Sequence, residues 1–396
     1  MAAAGDPSGA LDEFWPTEDQ ESLLRAALSS GEEALVAWKT WKSRNHLIDS
    51  ELDQGSFRLL PLVYKNLTAN GAKDDGLMTR LKGVYRYWWC ANQQLFHETV
   101  PILEGFHQAG IRTMILKGAA LSSAYYRDGG VRPMSDVDVL VPYRQAPEAF
   151  RCLARMGWRS FSRTLNEDLR FRHASQFLND KDREFDLHWH VFFECLWPDS
   201  DDELWRRAVP TELLHVPTYT LSPADILLHT IVHGIDWNPM PPIRWISDSM
   251  AIMRSAGETM DWDLVLEQAG RRRLLLRFGR GLRYLRDTFD APVPDDVIRR
   301  LAACRPSYSE RMEYSYLTLG AEGRSRVFFG YYPFIVFGFL RYAGEQGFLE
   351  KAAALPEYLR YHFSVDRRTD VLWMVLRDAA RKTRKVLTPR PVDGRP

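Results

Sequence analysis

A short acidic strand is the feature that most limits how this chain can fold. Ser135 is followed by Asp136-Val137-Asp138 and then by three apolar residues. Side chains alternate along a strand, so Asp136 and Asp138 are predicted to share one face while the valines occupy the other. Two carboxylates on one face of an apolar strand are costly unless a cation compensates them. The pattern favours Mg²⁺, which takes carboxylate and phosphate oxygens together.

Two further segments supply partners for this strand. Leu116-Lys117-Gly118 is typical of a strand that ends where a helix begins. Gly118 is predicted to let backbone N–H groups at a helix N-terminus approach phosphate, the alternative being a plain tight turn. Lys117 is either a point charge for a triphosphate or a surface lysine. A later strand, Phe185 to Trp189, offers a third carboxylate in Asp186.

Together these segments resemble the nucleotidyltransferase superfamily that includes polymerase beta and the antibiotic nucleotidyltransferases. Their spacing is most similar to a bacterial branch described as uncharacterised nucleotidyltransferases, with an L-K-G strand end, an R-x-x-S-D-x-D strand and a D-L-H-W strand. The resemblance covers roughly residues 20 to 290. One difference is that Ala119 follows Gly118 where the superfamily has a serine hydroxyl that holds phosphate. Lys117, or else Ser122, is predicted to replace that hydroxyl.

The resemblance implies Mg²⁺-dependent transfer of a nucleoside monophosphate from a nucleoside triphosphate, with ATP favoured. Such a transfer needs in-line positioning and charge neutralisation, which two metal ions about 3.5–4 Å apart supply. Asp136 and Asp138 are predicted to bind two Mg²⁺ ions, for which Mn²⁺ could substitute. Asp186 is predicted to bind the catalytic ion and to accept the proton of the acceptor hydroxyl. The alternative is that these acids cap strands or pair with Arg132 and Arg183.

Three more residues are candidate nucleotide contacts. Arg132 could clamp phosphate bidentately or pair with Asp136. Ser135 could touch a metal-bound water, but a cap of the acidic strand is favoured. His188 could orient Asp186 or contact the nucleotide, and is otherwise a structural histidine.

Other polar residues have two interpretations each. His229 and His233 lie one helical turn apart, and packing between regions is favoured over a role facing the nucleotide. Arg170 and Arg172 are predicted to alternate along a strand, where they either form a solvated edge or line the substrate cleft beside Asp186.

The charge balance bears on the acceptor. Lys plus Arg and Asp plus Glu both number 52, which argues mildly against long nucleic acid as an obligatory partner. A small-molecule or peptide-like acceptor in an apolar-walled pocket is therefore favoured. A tRNA- or protein-directed transferase would need a basic groove toward Arg271-Arg272-Arg273 or the C-terminal tail. A non-catalytic nucleotide-binding scaffold is the third possibility; the intact acids argue against it.

Composition also indicates where the protein works. The 4 cysteines include no C-x-x-C pair, so we expect reduced thiols, no structural zinc and a cytoplasmic location. The N-terminus lacks the apolar core of a signal peptide. The apolar run Val327 to Leu340 is too short to span a bilayer and contains Pro333. A buried helix pair is favoured there over an interfacial contact.

The expected fold is α+β, with a small mixed-sheet nucleotidyltransferase core between N-terminal and C-terminal helical regions. The predicted divisions are a disordered N-terminus (1–18), an N-terminal helical region (19–110), the α/β core (111–200), a helical domain that closes over the nucleotide site (201–300), a C-terminal helical region (301–388) and a tail (389–396). Predicted strands cover 111–116, 136–141, 169–178 and 184–192. Predicted helices cover 118–127, 145–157, 223–235, 243–255, 262–285 and 293–304.

Overall fold

The computed structural model describes residues 15–45, 52–73, 76–160, 164–235, 243–318, 332–344 and 347–371, with residues 373, 374 and 377. The helices are α1 (Glu18–Leu28), α2 (Gly31–Arg44), α3 (Gln54–Ala69), α4 (Leu77–Gln108), α5 (Lys117–Ala120), α6 (Ala146–Arg155), α7 (Leu165–Phe171), α8 (Asp202–Arg206), α9 (Pro223–Gly234), α10 (Arg244–Ala256), α11 (Trp262–Arg271), α12 (Leu275–Phe289), α13 (Asp295–Ala303), α14 (Tyr308–Leu317), α15 (Tyr332–Ala343) and α16 (Phe348–His362). The strands are β1 (Met114–Ile115), β2 (Asp138–Leu140), β3 (Arg159–Ser160), β4 (Ala174–Leu178), β5 (Glu184–His188), β6 (Val209–Leu213) and β7 (Val216–Thr220).

One mixed sheet of seven strands organises the molecule, in the order β3-β4-β5-β2-β1-β7-β6. β2 runs antiparallel to β1 and parallel to β5. In the β2–β5 register Asp138 lies opposite Asp186, and Leu140 lies opposite His188. The α+β fold expected from the sequence is therefore confirmed, and its register places two of the predicted acids side by side.

Burial of apolar side chains stabilises the central strands, although β1 and β2 are only two and three residues long. Met114, Ile115, Val139 and Leu187 are all fully buried, as expected for strands covered on both faces by helices. Each fully buried side chain of this size stabilises the fold by roughly 1.5–3 kcal/mol. The sheet core is therefore rigid enough to hold the polar groups of β2 and β5 in place.

The N-terminal helices are joined to the helices that follow the sheet. Trp15 contacts Trp245 of α10 and Tyr284 of α12, and Thr17 caps α1. Residues 15–18 of the predicted disordered N-terminus are therefore structured, while residues 1–14 lie outside the described part. A second apolar cluster joins α15 and α16 to α7 through Phe171, Ile335, Phe339, Ala343 and Tyr358.

Among the described residues, no helix combines the length and apolarity needed to cross a bilayer. Residues 327–331 of the predicted apolar run lie outside the described part, and its remainder forms much of α15. The C-terminal residues 378–396, which include the predicted tail, also lie outside the described residues.

The predicted strand over 169–178 is wrong at its start. Residues up to Phe171 belong to α7, and β4 begins only at Ala174. Tertiary packing overrides the strand-like spacing here: Leu169 and Phe171 are buried, and Phe171 packs among aromatic rings of α15 and α16. Neither strand-based interpretation of Arg170 and Arg172 therefore holds.

Other elements also differ from the prediction, and several predicted strands and helices are shorter in the structure, such as β1 and β5. The helix after Lys117 continues as a π-helix over Leu121–Tyr126. The acidic strand begins at Asp138, so Asp136 lies before it. The predicted helix 262–285 is two helices, separated near Arg273, whose φ is +55°. The hairpin of β6 and β7 was not predicted.

Candidate active site

A cavity of about 420 Å³ opens at the N-terminal end of β2. Its walls come from α3, the β1–α5 turn, the loop before β2, α9 and α10. A cavity of this size can hold a nucleotide-sized ligand, for which pockets of roughly 300–1,000 Å³ are typical. The lining includes the predicted residues Lys117, Gly118, Arg132, Ser135, Asp136 and Asp138.

The acidic groups of β2 and β5 converge beside this cavity. Ligand atoms of Asp138, Asp186 and His188 all lie within 4.8 Å of one another. Asp136 is outside that group but lines the same cavity as Asp138. His188 Nε2 is 2.9 Å from Asp138 Oδ1, and its side chain is buried behind that carboxylate. The structure therefore places His188 against Asp138, whereas the orienting role considered from the sequence was toward Asp186.

A lysine already neutralises part of the acidic cluster. Lys117 Nζ donates a hydrogen bond of 2.6 Å to Asp138 Oδ1. Burial alone would raise the pKa of Asp138, but the Lys117 charge and the His188 hydrogen bond hold it well below its usual value. Burial would likewise lower the pKa of Lys117, but Asp138 keeps it above its usual value. Asp138 is therefore ionised at neutral pH.

In the other two acids such compensation is outweighed by burial and by the neighbouring negative charges. Burial, and then the negative charges of Asp138 and Asp136, raise the pKa of Asp186 to about 6. Burial and Asp138 also raise the pKa of Asp136. The buried Oδ1 of Asp186 accepts no hydrogen bond from the described residues. A cation placed among these carboxylates would relieve both the repulsion and the unsatisfied oxygen.

The turn from β1 to α5 directs Lys117 toward the acids. Lys117 has φ +42°, a left-handed conformation uncommon for a side chain of this size and concentrated at functional sites. Gly118 follows because a Cβ there would lie 2.5 Å from Arg132 Nη1 and 2.7 Å from Met134 Sδ. The glycine therefore allows the loop before β2 to approach the turn closely.

Arg132 is fixed by a carboxylate outside the predicted set. Its guanidinium donates to both carboxylate oxygens of Asp248, at 2.9 to 3.2 Å, and Tyr126 Oη donates to Asp248 Oδ1 at 3.0 Å. The expected alternative, pairing with Asp136, is therefore not what the structure shows. Ser135 is exposed, with its hydroxyl 3.4 Å from Asp136 Oδ1.

Sequence reasoning missed the residue that holds this loop in place. Asn92 of α4 is fully buried. Its amide nitrogen donates to the carbonyls of Gly129 and Arg132, and its oxygen accepts from the N–H of Met134. The only signal in the sequence is a single asparagine among apolar residues of a long helix. Ser122, considered as a phosphate ligand, is instead buried and donates to the Asp128 carbonyl.

The paired histidines of α9 face the cavity. His229 and His233 both line it, with their ring centroids 5.7 Å apart. Burial, followed by nearby positive groups, lowers the pKa of His229 well below its usual value, whereas His233 is exposed. The His229 ring is therefore neutral at physiological pH. Arg58 and Arg244 also line the cavity, and neither was predicted.

A family model described as Uncharacterised nucleotidyltransferase matches residues 56–290. The chain belongs to this family. The matched region begins in α3 and ends just after α12, so it includes all the cavity-lining residues. Membership makes the protein a transferase of the nucleotidyl class, and the resemblance inferred from the sequence is confirmed at the level of the family.

Solved structures give a more distant likeness. One is the antibiotic-resistance factor ANT(2'')-Ia in solution, 15% identical, with a TM-score of 0.35 and coverage of 48% of this chain and 98% of that chain. Another is an antigenic nucleotidyltransferase-like protein from Paracoccidioides brasiliensis, 12% identical, with a TM-score of 0.33 and coverage of 52% and 97%. No curated protein matches the chain significantly. The assignment therefore depends on the family match.

Proposed function

We propose that this protein transfers a nucleoside monophosphate from a nucleoside triphosphate to a hydroxyl of a small-molecule or peptide-like acceptor. The acceptor oxygen would form a bond to the α-phosphorus and lose its proton to the Asp186 carboxylate, while the bond to the bridging oxygen breaks and pyrophosphate leaves. The observation that carries this proposal is the pair Asp138 and Asp186, opposite each other on parallel strands beside a nucleotide-sized cavity.

The donor set fits a divalent cation such as Mg²⁺ or Mn²⁺. Asp138 and Asp186 converge, Asp136 lies near enough to raise the pKa of Asp186, and one Asp186 oxygen is buried without a hydrogen bond from the described residues. When bound, the metal would neutralise the phosphate charge and align the acceptor with the phosphorus. Asp136, Asp138 and Asp186 would hold it.

Side chains of the protein would bind phosphate, orient the Asp138 carboxylate and line the cavity. Lys117 and Arg132 would contact phosphate, and Gly118 leaves the turn open for it. His188 would keep the Asp138 carboxylate in one orientation through its 2.9 Å contact. Leu121, Met134 and Trp245 add apolar surface to the cavity wall, which suits a flat base or an apolar part of the acceptor.

A macromolecular acceptor is less well supported. Arg271 is paired with Glu203, with a 2.6 Å contact, and Arg272 is buried and donates to the Ser200 carbonyl. Arg271 and Arg272 are therefore already engaged by other groups, and the cavity that they line with Arg273 also contains Asp199, Asp202 and Glu203, which does not favour the basic groove that a tRNA-directed enzyme would need. A small acceptor, with ATP as the favoured donor, remains the proposal.

The test is pyrophosphate release with each of the four nucleoside triphosphates and Mg²⁺ or Mn²⁺, with and without a fractionated metabolite and peptide extract as acceptor. Asp138→Asn keeps the shape of the side chain but removes the charge that a metal needs. Asp287→Asn is the matched control, because Asp287 is exposed on α12 away from the cavity.

We expect acceptor-dependent pyrophosphate with the wild-type protein and the control, and loss of at least about 100-fold with Asp138→Asn, comparable to losing one charge-stabilising group. Mass spectrometry of the product would then name the acceptor. Unchanged turnover in Asp138→Asn would overturn the assignment of the acids. Nucleotide binding without any release would instead favour a scaffold.

A further inference from the structure

Three arginines line the same cavity as the acids. Arg132 comes from the loop before β2, Arg58 from α3 and Arg244 from the first residue of α10. Among the described residues that line the cavity, Asp248 is the one carboxylate paired with an arginine, and both its oxygens bind Arg132. Arg58 and Arg244 are therefore left for a ligand.

Arg244 has an unusual environment for a guanidinium. Its Nη1 donates to the backbone carbonyl of Pro133, and no described acid forms an ion pair with its side chain. Burial, and then the positive charge of Arg132, lower the pKa of Arg244 to about 9. Arg244 is partly buried beside Arg132, so its charge is costly unless an anion arrives to balance it.

Arg58 adds a third positive charge to the same wall. It is half-buried, lines the cavity, and is close enough to Arg244 to contribute to lowering the pKa of that residue. None of the described residues provides an acidic or hydrogen-bonding partner for its side chain. Its position is therefore set by its helix, and its charge faces the cavity.

The acids and the arginines divide the cavity into two parts. Asp136 and Asp138 lie next to Lys117, where the reacting phosphate and its metal would sit. Arg132 lies beside the Gly118 turn, and Arg244 donates a hydrogen bond to the carbonyl of Pro133, the residue after Arg132. A chain of phosphates that begins at the acids would therefore extend past the turn to the guanidinium groups.

We infer that Arg58 and Arg244 bind the two terminal phosphates of the nucleoside triphosphate, which become pyrophosphate in the reaction. The inference rests on the proposed function. Guanidinium groups bind phosphate oxygens through paired N–H donors, and three of them together match a polyanion better than one compact base or sugar. Helices α3 and α10 would thus contact the substrate directly, in addition to the turn and loop next to the sheet.

The test uses inorganic tripolyphosphate, which carries the phosphate chain without base or sugar. Its binding is measured by isothermal titration calorimetry in Mg²⁺ for the wild type, Arg58→Gln and Arg244→Gln, and the four nucleoside monophosphates are measured in parallel. Arg299→Gln is the matched control, because Arg299 is an exposed arginine of α13 away from the cavity. No acceptor and no turnover are needed.

We expect each cavity variant to bind tripolyphosphate about 10- to 100-fold more weakly, the range for losing one hydrogen bond to a charged group. Monophosphate binding should be unchanged, and the control should bind both like the wild type. Arg244→Lys should recover part of the tripolyphosphate affinity because it retains the charge. A merely displaced loop would instead weaken monophosphate and tripolyphosphate alike.

The inference is overturned if both glutamine variants bind tripolyphosphate like the wild type, if both ligands weaken equally, or if the wild type binds no tripolyphosphate. The pyrophosphate-release assay separates this failure from failure of the proposed function. Release that depends on Asp138, together with unaffected tripolyphosphate binding in Arg58→Gln and Arg244→Gln, would refute only the arginine assignment.

Discussion

The buried pair of Arg132 and Asp248 offers a quantitative check on the structure. The Arg132 side chain is 12% exposed and the Asp248 side chain is 4% exposed. Asp248→Ala would therefore leave a largely buried guanidinium without its carboxylate, beside Arg244. Breaking a buried ion pair from one side costs about 3–5 kcal/mol. Because the cavity admits some water to Arg132, the lower end of that range applies, and we expect a loss of about 3 kcal/mol.

Equilibrium unfolding in urea measures this loss, and a double-mutant cycle tests its cause. Arg132→Met should also destabilise the protein, since it leaves Asp248 buried with only the Tyr126 hydroxyl as a donor among the described side chains. The double variant Arg132→Met/Asp248→Ala removes both charges. It should lose less than the sum of the single variants by about 2 kcal/mol, within the range for residues in contact.

An additive double variant would refute the reasoning, because it would mean that the two charges do not compensate each other. So would a loss below about 0.5 kcal/mol in Asp248→Ala, which is typical of an exposed position. Asp296→Ala is the control: Asp296 lies on α13, and its side chain is 54% exposed.

Three other substitutions or measurements test separate features. Lys117→Met removes the ammonium bound to Asp138, so the metal-free protein should lose about 3 kcal/mol or more of its free energy of unfolding. Mn²⁺ should then raise the melting temperature of the variant more than that of the wild type. An equal rise in both proteins would count against a metal at this carboxylate. Gly234→Ala would place a Cβ 2.2 Å from the Trp245 Cβ, so urea unfolding should show that the free energy of unfolding falls by about 1–3 kcal/mol. Stability equal to that of the wild type would mean that α9 and α10 are further apart. Burial raises the pKa of the Cys195 thiol to about 11, so at pH 8 it should remain protonated and resist a thiol reagent until the protein unfolds; labelling at the rate of a free thiol would contradict its burial.

The acidic centre could be predicted from sequence because its information is local. Asp138 lies on a short apolar strand, and Asp186 begins an Asp-Leu-His-Trp run on another strand, so alternation and the family pattern both apply. That Asp138 lies opposite Asp186 on parallel strands is set by the register of the sheet, which the sequence pattern does not specify. The α+β fold class could be predicted for the same reason, since strands and helices differ in their apolar period.

The rest of the site depends on residues that meet only after folding. Arg58 and Asn92 come from helices far upstream, and Arg244 and Asp248 come from a helix far downstream. Each looks like an ordinary polar residue of an amphipathic helix, so no local period identifies it. α7 was mistaken for a strand for a similar reason: its buried face is covered by helices nearly two hundred residues later in the chain, as the Arg170–Tyr342 hydrogen bond shows with a separation of 172 residues.

The pairing of β1 with β7 has a consequence for how the chain assembles. β1 lies between β2 and β7 in the sheet. A hydrogen bond between the hydroxyls of Thr113, just before β1, and Thr218 of β7 joins residues that are 105 positions apart in the sequence. During synthesis on the ribosome, β1 would leave the exit tunnel long before its second partner is made. Contacts of such long range form slowly, and an unpaired strand edge is open to the wrong partner in the meantime. The long helix α4, which precedes β1 and contacts β7 in the finished fold, is well placed to shield that edge until the hairpin arrives.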